Sequence, residues 1–219
     1  MPHRVLVPID FSVSSRVALA RAEEVALAIH GELLVLHVGE EMVDHKTLAA
    51  GGFLPARARV DEQLAVAPAL AALIKQLQSR GVRARAQHVG GSPRAKILDA
   101  IAFERISLVV MGTHGRYGLA RLVLGSVSAR VVQSSPVPVV VCRPTAQVAS
   151  GGELRGSGDG TTRIKRLRNI LVAADFEPGC DAALKSAFEL GETLGVTVHL
   201  VHAYPPVITS VGNGVGAIA

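Results

Sequence analysis

Apolar residues along this chain fall into short continuous runs, and the stretches between them carry helical spacing. "RVLVPI" at residues 4–9 is the first run, and Asp10 follows it. "SVSSRVALARAEEVALAIHG" then opens on serines able to cap a helix, keeps Val17, Ala18, Ala22, Val25 and Ile29 on one face, and stops at Gly31. "ELLVLHV" (32–38) reads as a second strand, and an irregular stretch over 39–56 follows. Residues 57–80 read as a helix closed by Gly81. "VRARAQHV" (82–89) alternates, as a strand near a sheet edge does. Ser92-Pro93 opens a helix in the order expected of a cap and first turn. "ISLVVMG" (106–112) is the fourth strand, "SVSARVVQSS" (126–135) the next helix, and "VPVVVC" (137–142) the fifth strand.

Strands therefore alternate with helices, and the strands are Val/Leu/Ile runs without a polar face. That combination predicts an α/β domain, a doubly wound five-stranded parallel sheet covered on both sides, with right-handed crossovers. The expected strand order is 3-2-1-4-5, which places the reversal of order between the first and fourth strands. The domain is expected over 1–144. Residues 145–165, rich in Gly, Ser and Thr and without an apolar period, read as a flexible linker.

Beyond the linker the pattern restarts. Residues 4–38 and 169–203 align without a gap at an offset of 165, with Leu6/Leu171, Val7/Val172, Asp10/Asp175, Phe11/Phe176, Leu19/Leu184 and His37/His202 identical. This second copy, within 166–219, supplies one β-α-β unit and ends in "SVGNGVGAIA", read as an irregular tail. Two strands and one helix are too little to bury a core alone, so the piece is expected to dock or to be poorly ordered.

Composition narrows the function classes. Of 219 residues 49% are apolar and only 3% aromatic, so Val, Leu, Ile and Ala must build the core. A net charge of +5 without aromatic platforms argues against nucleic acid as the partner. No apolar run is long enough to span a membrane, and no signal peptide is visible, which points to the cytoplasm. Cys142 and Cys180 stand alone, and the eight histidines lack metal-ligand spacing, so no protein-only metal site is expected. A P-loop motif is absent as well.

The stretch that carries candidate chemistry is "MGTHGRYGLARLVLGS" (111–126), with four glycines and no acidic residue. It follows the fourth strand and so faces the loop after the first strand across the reversal point. Gly112 and Gly115 suit a turn with φ > 0 beside a ligand. Gly125-Ser126 opens a helix, where unpaired amides and the dipole favour an anion and the Ser126 hydroxyl adds a donor. Arg116 and Arg121 add positive charge. Together these read as a phosphate cradle. Two readings fit Asp10: an acceptor for ribose hydroxyls or for a nucleotide-bound magnesium, and an Asx turn or cap before the first helix. His114 fits both a phosphate contact and an exposed loop position. Neither a lysine for β/γ-phosphates nor a general base beside a γ-phosphate is evident, so efficient hydrolysis is not supported.

Gly112-x2-Gly115-x9-Gly125-Ser126, with "VLVPIDFS" before it and "VVVCRP" after it, resembles the nucleotide-binding branch of the universal stress protein family. The resemblance covers about 1–144 in full and about 166–204 as a truncated copy. It implies a Rossmann-like fold and a regulatory stress-response role with bound ATP or AMP. A weak ATPase or autokinase, and a scaffold without nucleotide, are the alternatives. It implies that Pro8 and Ile9 line base and sugar, that Asp10 contacts ribose, and that Val38 offers backbone groups to adenine. Met111, Gly112, Gly115, Gly125, Ser126 and Val127 would enclose ribose and phosphates. It further implies a homodimer through strand 137–142 and a regulatory protein partner.

Overall fold

The computed structural model describes residues 3–39, 56–113, 124–144, 167–174, 180–203, 208–211 and 214–217, with the side chains of 56–64 and 208–217 left aside. The chain divides into two compact units, 1–165 and 166–219. In the first unit the elements run β1 (Arg4–Pro8), α1 (Val13–Ala28), β2 (Glu32–Gly39), α2 (Ala56–Ser79), β3 (Arg83–Gly90), α3 (Pro93–Phe103), β4 (Leu108–Gly112), α4 (Ser126–Ser134) and β5 (Val139–Cys142). All four strand pairings are parallel and the order is β3-β2-β1-β4-β5, as the sequence pattern predicts.

Burial explains the lack of alternation in the central strands. Val5, Leu6 and Val7 of β1, Leu33 to Leu36 of β2, and Val109 and Val110 of β4 are nearly or fully inaccessible, because helices cover both faces. Leu6, Leu34, Leu36, Ile97, Ile101, Met111 and Val131 form one apolar cluster under α3 and α4. On the edge, β3 keeps its alternation, with only Ala84 buried. At the N-terminal end of the sheet Arg4 and Arg85 bracket Glu32, at 3.0 and 2.7 Å, and Arg85 also reaches Glu104 at 2.7 Å.

In the second unit β6 (Asn169–Ala173) and β7 (Thr197–Val201) pair in parallel, with α5 (Cys180–Leu194) between them in sequence. Asn169 faces Thr197 as Arg4 faces Glu32, so the register repeats at the offset of 165. The segment read as an irregular tail instead contains an antiparallel ladder, β8 (Ile208–Val211) and β9 (Gly214–Ala217). The overlooked sequence signal is the Gly-Asn pair at 212–213 between two short runs, a dipeptide that favours a tight hairpin.

Equivalent positions have unequal surroundings in the two units. Leu6 is 0% exposed, whereas its repeat mate Leu171 is 68% exposed. Removing Leu6 opens a cavity, and removing Leu171 does not. Leu6→Ala should therefore lower unfolding free energy by about 3 kcal/mol, and Leu171→Ala by less than about 0.5 kcal/mol. Urea unfolding followed separately for each unit checks this; equal effects would contradict the burial argument.

Candidate functional site

The sheet order reverses between β1 and β4, which pair through Val5–Leu108 and Leu6–Val109. Two connections rise from their C-terminal ends, and each is built by short-range hydrogen bonding. After β1, the Ile9 amide still donates to Leu36 O at 2.8 Å. The chain then turns at Phe11, which has φ 62. The Ser12 amide donates to Asp10 Oδ1 at 3.0 Å, closing an Asx turn around Phe11. Ser12 caps α1 by accepting from the Ser15 amide at 3.2 Å, and the Ser15 hydroxyl donates to Ser12 O at 3.1 Å. Of the two readings of Asp10, the turn is directly visible.

Burial pushes the Asp10 carboxyl up, but hydrogen bonds from the Ser12 and Ser15 side chains and from the backbone outweigh it. The group ends below its ordinary value and is an anion at neutral pH. A carboxylate so held is a weak base, suited to accepting hydrogen bonds rather than protons.

The second connection meets the first through hydroxyls. Ser14 Oγ of α1 accepts from the Thr113 amide at 3.0 Å and lies 3.3 Å from Thr113 Oγ1. The Ser128 hydroxyl of α4 donates to Gly112 O at 2.8 Å. Ser14, Thr113 and Ser128 are all buried, at 6%, 3% and 4% exposure. Sequence reasoning missed these three side chains and Ser15. Their signal was small hydroxyl residues in the first turns of α1 and α4 and directly after β4.

Gly112 has a different reason from the one expected. Its φ is not positive, since Gly81, Gly91 and Gly195 are the left-handed glycines among the described residues. A Cβ there would stand 2.7 Å from Ser14 Oγ and 2.8 and 2.9 Å from the Ser14 backbone. Glycine is needed for the close packing of α1 on β4.

At α4, Gly125 is the cap, with φ −59 and ψ 154. Its own amide donates to Thr113 O at 2.7 Å, so the anion-seeking amides begin one residue later than the sequence suggested. Ala129 makes the first intrahelical bond, to Gly125 O at 2.8 Å. The amides of Ser126, Val127 and Ser128 precede it and meet no carbonyl inside the helix, at the positive end of its dipole.

Met111 belongs to the apolar cluster under α3 and α4, and Val38 and Val127 pack against it. Pro8 ends β1, half-buried. Ile9 is on the other side of the sheet, 4% exposed, lining a groove between α1 and α2 with Phe11 and Leu19. Its side chain therefore does not share a face with Val38 and Met111. His114, Gly115, Arg116 and Arg121 lie outside the described residues. The described residues at this end of the sheet thus bring a carboxylate and a helix N-terminus to the strand-order reversal, above the apolar cluster that contains Met111.

The profile of the universal stress protein family matches residues 1–143 and again 166–214. The chain belongs to the universal stress protein family. Universal stress protein YxiE of Bacillus subtilis is 32% identical over 148 residues, covering 65% of this chain and 100% of that relative. A universal stress protein of Mycolicibacterium smegmatis is 34% identical over 143 residues, covering 64% of this chain and 45% of the relative's length. Among solved structures, universal stress protein UspA from Lactobacillus plantarum superposes with a TM-score of 0.51 at 25% identity, covering 64% of this chain and 97% of that one. The fold shared with these relatives is that of the first unit.

Two predictions follow from the geometry of this universal stress protein. Gly112→Ala should cost about 2 kcal/mol in chemical unfolding, because neither Ser14 backbone atom can yield without shifting α1; a cost near zero would show that α1 moves freely on β4. Asp10 concerns acid. A carboxyl held below its unfolded value contributes stability that is complete above the unfolded carboxylate range, at about pH 5 and higher. That stability is lost as pH falls through the lowered folded value. The stability difference between wild type and Asp10→Asn should thus be constant from neutral pH down to about pH 5 and shrink below it. Thermal melts across pH check the sign.

Proposed function

We propose that this universal stress protein is a regulatory stress-response factor that binds an adenine nucleotide, ATP or AMP, in the crevice between β1 and β4. The observation that carries the reading is the convergence of Asp10 and the α4 N-terminus at the point where strand order reverses. In open parallel sheets that is where ligands bind. The residues suit the parts of such a ligand. Val38, Met111 and Val127 offer an apolar surface to the base. Asp10, ionised, accepts from ribose hydroxyls and can face a magnesium carried by the phosphates. The α4 amides and the Ser126 hydroxyl meet phosphate oxygens. His114, Gly115 and Arg116 complete the cradle on the strength of the glycine spacing. Pro8 and the Ile9 backbone border it.

Binding rather than turnover is favoured by the state of Asp10, a weakened base already engaged by Ser12. A second copy is expected at the edge strand β5, whose Val139, Val140 and Val141 are half-buried. Two free cysteines suit a reducing compartment, the cytoplasm. Among the described residues no helix is long and apolar enough to cross a membrane.

Titration with ATP and AMP, with and without magnesium, tests the reading. Gly125→Val sets a branched side chain at the helix cap beside the phosphate amides. Nucleotide affinity should fall at least about a hundredfold, from the loss of charge-assisted hydrogen bonds worth roughly 3 kcal/mol together. Unchanged affinity would sink the crevice reading. ADP release over hours, at wild-type levels indistinguishable from buffer, is the expected companion result.

A further inference from the structure

Two histidines meet at the edge of the sheet. The β2–β3 register sets His37 opposite His88. They lie 51 positions apart in the chain, so no ligand spacing along the sequence reveals them. Their Nδ1 atoms are 3.0 Å apart, with ring centres at 5.0 Å and ring planes at 38°. His37 is 5% exposed and packs on Phe11, whose ring centre is 5.5 Å away. His88 is exposed and leans over Gly39, where a Cβ would stand 3.1 Å from its Cε1. Glycine at 39 thus leaves room for the ring that brings the second nitrogen to the first.

We propose that His37 and His88 form a binding site for a divalent transition metal ion of square-planar or octahedral preference, nickel(II) or copper(II). The two Nδ1 atoms hold the ion and water fills its remaining positions. Imidazole suits such ions, and separation selects among geometries. With bonds of about 2.0–2.1 Å, two nitrogens stand about 2.9 Å apart at a right angle and about 3.3 Å apart at the tetrahedral angle. The 3.0 Å between the Nδ1 atoms matches the right angle. The ion stands beside the line joining the nitrogens, and the exposed His88 ring turns toward it.

Both Nδ1 atoms must offer a lone pair to the ion. In the neutral hydrogen-bonded pair one ring donates through Nδ1; on binding, that ring carries its proton on Nε2 instead, so the tautomer changes and no proton leaves. Among the described residues no group of three His, Cys, Asp or Glu side chains gathers, so the site has two protein donors. Successive side chains of a strand alternate, which places Arg83 and Arg85 of β3 on the opposite face from His88. Their charge is turned away from the ion. A bound ion ties the edge strand β3 to β2, and the site does not depend on the crevice reading.

The test titrates the full chain, free of nucleotide, with nickel(II) at about pH 8, where imidazoles are neutral. Paramagnetic broadening locates the ion. The amide signals of His37, Val38, His88 and Val89 should broaden before those around any other histidine. His88→Gln removes one donor at an exposed position, so the fold is kept and the other amide signals stay in place. Nickel affinity at this site should fall at least about tenfold, because the remaining donor binds without a linked second one. His3→Gln removes a competing histidine elsewhere and should leave the broadening at His37 and His88 unchanged. Zinc, suited to the wider tetrahedral angle, should bind here more weakly than nickel. No broadening at His37 and His88, or equal nickel affinity in wild type and His88→Gln, overturns the site. Zinc binding tighter than nickel overturns the right-angle geometry.

Discussion

The contact between Ser14 and the end of β4 is the constraint on which the site depends. Only a residue without a side chain allows α1 to approach β4 closely enough for Ser14 Oγ to accept from the Thr113 amide at 3.0 Å. That approach joins the loop after β1 to the loop after β4. Ser128 adds the third link by donating to Gly112 O. The polar groups freed by ending β4 are thus satisfied inside the protein, as buried polar groups must be. The Asp10 turn and the α4 N-terminus are thereby tied to the ends of β1 and β4, the strands between which the order reverses.

The electrostatics of the crevice follow from this frame. Asp10 is half-buried and would by that alone tend to neutralise, yet serine hydroxyls and an amide keep it charged. At the connection after β4, the α4 amides supply positive potential. The two signs belong to different connections, one after β1 and one after β4.

The second unit shows how far a local pattern reaches. β6 and β7 pair in the register of β1 and β2, so the short-range code is preserved. The environment is not. Leu171 is exposed where Leu6 is sealed, because the sealing residues in the first unit come from α3 and α4. The repeat histidines diverge in the same way. His37 faces His88 of β3, whereas His202 Nδ1 lies 2.7 Å from Ala174 O. A residue's partner is set by the strand beside it, and identical sequence cannot supply that strand.

Much was legible in the sequence. Continuous apolar runs, caps and the alternation of β3 marked the five strands and their helices, because each is a local consequence of periodicity, and the reversal point followed from the strand order expected of that fold class. Glycine spacing marked the connection after β4, and Asp10 marked the connection after β1. Only the tertiary structure decided why Gly112 is glycine, that the Gly125 amide is already taken, and that Ile9 faces away from Val38 and Met111. It alone brought Ser14, Thr113 and Ser128 together and set His37 against His88. These are contacts between residues far apart in the chain. Their distances depend on how helices seat on the sheet, which no local spacing encodes.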